Sequence, residues 1–279
     1  MLTTSNANAI VPDTRGQLLI QSVAEKSIAA QVATVVNIAT HDFRLPRVTK
    51  DPTAAWTAEG EEIVPSDMTI DEVASTPSKV AGLSIITREL ANDSSPAATE
   101  AIGQGLAREI ARQVDRAFFG DLPAPAPKGL YSVAGKSTVA TSSGYTNIDP
   151  FIEALTMAEV VGAKLTAFVT SPLTALALAK LKKGTSSNEP LLAADPSVPT
   201  GRVIQGVPLF VTPFIEDGSV WGIPKDHAFL LIRENAKIET DGSVFFTSDR
   251  VAVKGTMRVG TLFPHEAAIV HVPAAQPAG

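Results

Sequence analysis

SSPAATEAIGQGLAREIARQVDRAFFGD, Ser94 to Asp121, carries the clearest start, period and stop signals in the chain. Ser95 suits an N-cap, because its hydroxyl can accept from an orphan N–H of the first turn. Pro96 follows at the first helical position, where a missing N–H costs nothing. Ile102, Leu106, Ile110, Val114 and Phe118 recur every four residues, with Ala117 beside the last, and form one apolar stripe. Arg108, Glu109, Arg112, Asp115 and Arg116 are placed mainly on the flanks and the opposite face. Gly120 and the DLPAPAPKG run end the pattern. The spacing predicts one helix over residues 95–119, roughly 36 Å long at the α-helical rise. Gly103 and Gly105 each cost about 1 kcal/mol relative to Ala, so tertiary packing has to hold this spine.

Outward from the spine, the composition is that of an ordinary globular protein: 279 residues, 44% hydrophobic and 19% charged. That length allows one large or two modest domains. With no cysteine, disulfides, thiolate nucleophiles and cysteine zinc sites are excluded. A net charge of −6 without a basic cluster argues against tight direct binding of nucleic acid. The N-terminus lacks a secretory signal, and Leu165 to Ala179 is too short, and broken by Pro172, to span a membrane. We therefore expect a soluble protein assembled inside the cell.

Residues 1 to about 13 read as a polar arm, followed by a helix capped by Asp13 or Thr14 and running to about Gln31. Ala33 to Ala39 is β-branched and reads as a strand. From about Asn37 to Leu83 the chain has four prolines and no helical period. A structureless loop of that length is improbable in a compact domain, so an extended hairpin is expected. Arg44, Arg47 and Lys50 mark its rising limb, and Glu59, Glu61, Glu62, Asp67, Asp71 and Glu72 crowd its middle. An isolated hairpin is marginal in water, so its order should come from packing on another subunit.

Beyond the spine, Leu122 to Tyr145 reads as a loop-rich linker. IDPFIEALTMAEVVG then predicts a helix, LTAFVTS a strand, and SPLTALALAKLKKG a second helix whose closing Lys182 and Lys183 suit the negative end of its dipole. GVPLFVTPFI, SVWGIP and AFLLIRE read as strands. Alternation at Val251, Val253, Met257 and Val259 predicts long closing strands, followed by a polar tail.

No catalytic constellation emerges. Gly135-Lys136-Ser137-Thr138 has the ending of a phosphate loop, but the first glycine should stand where the chain has Leu130, and no strand precedes it. An enzyme binding a phosphorylated ligand there is thus disfavoured. The acidic cluster lacks the spacing of a calcium loop, and His41, His227, His265 and His271 lack metal spacing and read as structural. No GxSxG elbow is present. Trp56, on a polar protruding segment, is the most unusual apolar placement, and it reads either as a local hairpin contact or as an anchor in a neighbour.

The order of these elements has specific stretches within it. Trp56-Thr57-Ala58-Glu59-Gly60 is followed by KVAGLSIITRELANDSS (Lys79 to Ser95), the spine, GVPLFVTPFI and DRVAVKGTMRVGTLFPHEAAIVHV. Together they resemble the major capsid proteins of tailed bacteriophages with the HK97 fold. The resemblance implies an α+β fold: an N-terminal arm over 1–36, an E-loop over 37–82, a P-domain over 83–145 and 239–279 containing the spine, and an α/β A-domain over 146–238. It implies a structural protein, without enzymatic activity, cofactor, metal or membrane, that forms hexamers and pentamers of an icosahedral shell around double-stranded DNA. A scaffolding protein, a portal and non-specifically packaged DNA are its implied partners, with assembly in the bacterial cytoplasm and residence in the virion. The inter-subunit contact candidates are Arg44, Arg47, Lys50, Trp56, Glu59, Glu61, Glu62, Arg108, Arg112 and Arg116. A nanocompartment shell of the encapsulin type, which shares the fold, is the alternative. Many relatives carry an N-terminal scaffolding segment that is removed; here the chain begins almost at the arm, so either that segment is absent from the gene or it has already been removed, and Met1 favours a separate scaffolding protein.

Some relatives weld their shells with an isopeptide bond between an E-loop lysine and a P-domain asparagine, assisted by a glutamate. Lys50 stands for the lysine, but Thr247-Ser248-Asp249-Arg250 offers a carboxylate where the amide is needed, and Thr256 stands about where the glutamate is expected. Shells boiled in denaturant should therefore run as a single monomer band, and a ladder of covalent multimers would contradict this.

Overall fold

The computed structural model describes residues 27–62, 64–89, 97–139, 141, 144–184, 187–192, 200–243 and 245–274. The expected cap at Ser95 and Pro96, the start of the helix expected from Asp13 or Thr14, the first 13 residues and most of the C-terminal tail lie outside them. The helices are α1 (Ile28–Val32), α2 (Ala97–Phe119), α3 (Asp149–Val160) and α4 (Pro172–Ala179). The first six strands are β1 (Thr34–Asn37), β2 (Phe43–Lys50), β3 (Thr69–Ser75), β4 (Ser78–Thr87), β5 (Ser137–Thr138) and β6 (Ala167–Thr170). The rest are β7 (Val203–Ile204), β8 (Val207–Val211), β9 (Ser219–Ile223), β10 (Phe229–Asp241), β11 (Arg250–Leu262) and β12 (Val270–Pro273).

The spine is α2, and its apolar stripe faces a four-stranded sheet ordered β1-β10-β11-β4. Along β11, Val253, Gly255, Met257 and Val259 point to the helix, while Lys254, Thr256 and Arg258 point away, as a two-residue period requires. Gly255 and Gly82 are direct cross-strand partners. A Cβ on Gly82 would stand 3.0 Å from Leu106 Cδ2, and one on Gly255 3.1 Å from Ile110 Cδ1. This glycine floor lets the helix sit close, and Gly103 answers it from the helix side, where an added Cβ would stand 3.3 Å from Ile238 Cδ1. The helix-weakening glycine thus has a packing reason.

Burial along the spine deepens toward its end. Ile102 and Leu106 are half-buried, whereas Ile110, Val114, Ala117, Phe118 and Phe119 are buried. Phe118 meets Phe119 edge-on at 5.1 Å and Phe263 at 5.5 Å, contacts worth about 0.5–1.5 kcal/mol each beyond the area they bury. Asp115 corrects the sequence reading: it lies inside the buried face, not on a charged flank, and is 5% exposed.

The six-stranded sheet is ordered β5-β12-β9-β6-β8-β7. Its central strands β6 and β9 are buried at every position because both faces are covered. Ala167, Val169, Trp221 and Ile223 join the core around the spine, while Phe168 and Val220 join a second core with Phe151, Ala154, Ala158 and Leu178 of α3 and α4. Three sequence expectations change here. The boundary expected at 238 falls inside β10, which belongs entirely to the four-stranded sheet, and β12 returns to the six-stranded one. The linker 122–145 contributes β5, parallel to β12. Helix α4 stops at Ala179, so Lys182 and Lys183 do not cap it; Lys182 donates to the Asn188 carbonyl at 3.0 Å and Lys183 pairs with Glu189.

The hairpin forms as β2 and β3, with Arg47 directly opposite Asp71. Residues 51–62 and 64–68 continue beyond it without strand pairing and are exposed.

Gly255→Val tests the close approach of the spine. Valine favours strands, so it would stabilise an uncrowded site; here the branched side chain meets Ile110 and Leu106 and should cost about 1–3 kcal/mol. Equilibrium urea unfolding of the unassembled full-length chain reads this as a lowered midpoint with an unchanged slope. A midpoint at or above the original would show that the glycine floor does not set the distance.

Candidate inter-subunit surfaces

The hairpin carries most of the sequence-predicted contact residues, and the structure divides them. Arg44 Nη1 pairs with Glu72 Oε1 at 3.2 Å, and Arg47 Nη2 with Asp71 Oδ2 at 3.1 Å. Both arginines are thus engaged across the two limbs, as opposite charge on those limbs allows, and exposed pairs of this kind are worth less than about 1 kcal/mol. Arg47 also donates through Nη1 to the Pro264 carbonyl at 3.0 Å, which ties the hairpin base to the connection after β11. Lys50 ends β2 opposite Thr69.

Farther out, Thr53 N donates to Ser66 Oγ at 2.9 Å and that hydroxyl donates to the Thr53 carbonyl at 3.1 Å. Gly60, at φ 88°, turns the chain, and Glu61 N donates to the Ala58 carbonyl at 3.1 Å. Trp56 stands on this tip at 105% relative exposure, so among the described residues no local contact shelters it, and Glu59, Glu61 and Glu62, close by in the sequence, are exposed too. Among the described residues, then, nothing supports the local-contact reading of Trp56. Residues 51–68 contain Asp51, Glu59, Glu61, Glu62 and Asp67 and neither lysine nor arginine.

On the spine, Arg108, Arg112 and Arg116 are exposed along one side, and Arg112 Nη1 lies 3.7 Å from Glu109 Oε2. The sheet face turned away from the helix is charged too. Glu239 sits between Lys237 Nζ at 2.7 Å and Lys254 Nζ at 2.6 Å, which hold its carboxyl down to about 2, and Arg258 Nε meets Glu234 Oε1 at 3.2 Å. Asp249 is paired with Arg88 Nε at 2.8 Å.

Sequence reasoning missed an apolar surface on α4. Leu173 and Leu176 are 63% and 50% exposed, with Ala177 and Lys180 completing the same i, i+3, i+4, i+7 stripe. The signal was present: apart from Thr174, PLTALALA is apolar around most of the helix, so more than one face carries apolar residues.

The GKST stretch is structural. Lys136 Nζ donates to the Val133 carbonyl at 2.8 Å, and Gly135 N to Glu266 Oε2 at 2.7 Å, so neither is turned to a ligand. Lys136 also lies 6.0 Å from the Trp221 ring centroid. His271 stacks on the other partner of that cluster, 4.3 Å from Trp221, with Nε2 3.2 Å from Ser219 Oγ. Among the described residues no group of three or more potential ligands could hold a metal, and no helix is long and apolar enough to cross a membrane.

A model of the phage capsid family matches residues 7–273. The chain belongs to the phage capsid family. A search of curated protein sequences gives no match. Among solved structures, the capsid of an empty GTA particle computed with C5 symmetry superposes with TM-score 0.76 at 16% identity, over 99% of this chain and 95% of that one. The capsid of the native GTA particle gives 0.73 at 17%, over 99% and 95%. A chain from Mycobacterium phage Bobi gives 0.72 at 17%, over 91% of each. At such identities the superpositions establish the fold: this phage capsid protein has the HK97-like α+β architecture, and its family is that of the bacteriophage major capsid protein, a structural component of the virion.

His271 supplies a pH prediction. Burial, with the Lys136 cation nearby, pushes its imidazole down to about 4 from the ordinary 6.5. The folded capsid protein then binds fewer protons than the unfolded chain between those values, so this contribution to stability is complete above pH 6.5 and is lost as pH falls toward 4. His271→Phe keeps the stack on Trp221 and should flatten that limb of the urea midpoint against pH. An unchanged slope in the variant would rule His271 out as its source.

Proposed function

We propose that this chain is the repeating tile of an icosahedral shell, assembled as hexamers and pentamers around double-stranded DNA. The carrying observation is Trp56: a fully exposed tryptophan on a tip with no core of its own gains its burial in another copy of the chain. The superposition on a capsid computed with C5 symmetry supports the same reading. In it the hairpin is the E-loop, which overlaps a neighbour; the four-stranded sheet with the spine is the body of the P-domain; and the six-stranded sheet with α3 and α4 is the A-domain. The exposed stripe at Leu173 and Leu176 then meets another A-domain.

Charge supports a partner for the tip. Its segment is acidic throughout, and Arg108, Arg112 and Arg116 offer a row of cations on the outer side of the spine. Opposed patches of this kind orient encounter and set register more than they add affinity. With net charge −6, the chain holds packaged DNA by enclosure and not by a dedicated binding surface. A scaffolding protein sets curvature, a portal admits the genome, and assembly proceeds in the host cytoplasm.

Trp56→Ala separates assembly from folding. Because the side chain is fully exposed, the urea midpoint of the unassembled subunit should not move, whereas shell yield by electron microscopy and sedimentation should fall at least about tenfold, the scale of a lost interface anchor. Normal shells from the variant would remove Trp56 from the interface. Only monomers from the unaltered chain, with and without scaffold, would remove the shell itself.

A further inference from the structure

The observations that the shell reading leaves unused gather at Asp115. This carboxylate sits one turn before the end of the spine and is 5% exposed. Its Oδ1 accepts from Ser27 Oγ at 2.7 Å and from Ala29 N at 2.9 Å, and its Oδ2 accepts from Ile28 N at 3.1 Å. Ser27 Oγ in turn accepts from Ala30 N at 3.3 Å. All these donors belong to the opening of α1, whose first N–H groups have no partner within the helix. A five-residue helix does not persist on its own in water, so α1 exists because something outside it satisfies that end.

Packing alone does not ask for a carboxylate here. Ala29, Val32 and Ala33 are already buried against the spine core, and an apolar residue at 115 would extend that contact. Burial pushes the Asp115 carboxyl above the ordinary carboxylate value, with the Ser27, Ala29 and Ile28 donors pulling it back, so the charge is held against a desolvation cost. What the carboxylate supplies is direction. Two oxygens, fixed by the spine, take three donors from consecutive residues and set the axis of α1. Immediately downstream, Thr34 N donates to the Ala228 carbonyl at 2.8 Å and β1 runs parallel to β10. The chain is therefore clamped at both ends of α1.

We propose that Asp115 is the positioning residue for α1: it fixes where on the spine that helix sits and along which axis it runs, and assembly depends on that fixed placement. The second half rests on the shell reading; the first does not. Asp115→Leu fills the volume without an acceptor, Asp115→Asn keeps one acceptor oxygen for Ser27 and Ala29, and Ser27→Ala removes the shortest bond.

Hydrogen exchange on the full-length unassembled chain, read by mass spectrometry over residues 27–33, is the test. Exchange there should quicken at least about tenfold in Asp115→Leu and less in Asp115→Asn and Ser27→Ala, while peptides of α2 and β11 stay as slow as before. Wild-type protection of 27–33 in Asp115→Leu would overturn the anchor, as would quickening spread evenly over the whole chain. If that variant does not fold, unchanged exchange in both milder variants overturns it equally. Shell yield then decides the second half: a folded Asp115→Leu chain should assemble poorly with rescue in Asp115→Asn, and normal shells from it would confine Asp115 to the subunit. Failure of the unaltered chain to form shells would instead count against the shell reading and leave the exchange result intact.

Discussion

The close approach of the spine to the four-stranded sheet is the constraint from which the rest of this capsid protein follows. Gly82 and Gly255, paired across β4 and β11, leave a floor into which Leu106 and Ile110 descend. Because the helix sits low there, its C-terminal half can also reach the other sheet. Ile110, Val114, Phe118 and Phe119 share one core with Val169, Trp221 and Ile223. The two sheets are thereby joined through a rigid beam, and a shift of the helix would be felt in both, since packed interiors transmit displacement instead of absorbing it.

That economy leaves surfaces that the chain does not cover. The central strands β6 and β9 are buried on both faces, but the outer face of the four-stranded sheet carries ion pairs, Lys237 and Lys254 on Glu239 and Arg258 on Glu234, beside exposed Leu83 and Ile85. The tip of the hairpin and the Leu173 and Leu176 side of α4 are open as well. Such a distribution suits a tile, whose edges are completed by other tiles, better than a monomer that buries what it can.

Much of this was legible in the sequence because it rests on local periodicity. The four-residue repeat from Ile102 to Phe118, the alternation about Val251 to Val259 and the proline-rich, unperiodic stretch after Asn37 each announce a spine, long strands and a protrusion. What escaped depends on partners distant in the chain. Strand β10 runs on past 238 because β11 pairs with it to Asp241, and β5 exists because β12 returns to it. The lysines after α4 find carbonyl and carboxylate partners in the following loop instead of the helix end. Asp115 was readable in part: Ala111, Asp115 and Phe118 stand at i, i+4 and i+7, the spacing of the buried stripe itself. A charge at such a position is the mark of a distant donor set, here 86 to 88 residues away.

Asp115 and Trp56 invert the ordinary partition of side chains, one a carboxylate at 5% exposure and the other a tryptophan at 105%. Each is costly in an isolated chain: burying a charge forfeits hydration, and exposing an indole forfeits the hydrophobic gain. The first cost is met within the subunit by three donors from the root of the arm. The second finds no compensation among the described residues, where nothing shelters the ring. One inversion therefore fixes a segment within its own subunit, and the other, on the proposed reading, is resolved where a second copy covers the ring. Intra-chain anchoring and inter-chain burial are thus assigned to opposite ends of the polarity scale. Interchanging them would leave an arm held by non-directional contacts and a tip with no hydrophobic anchor to bury.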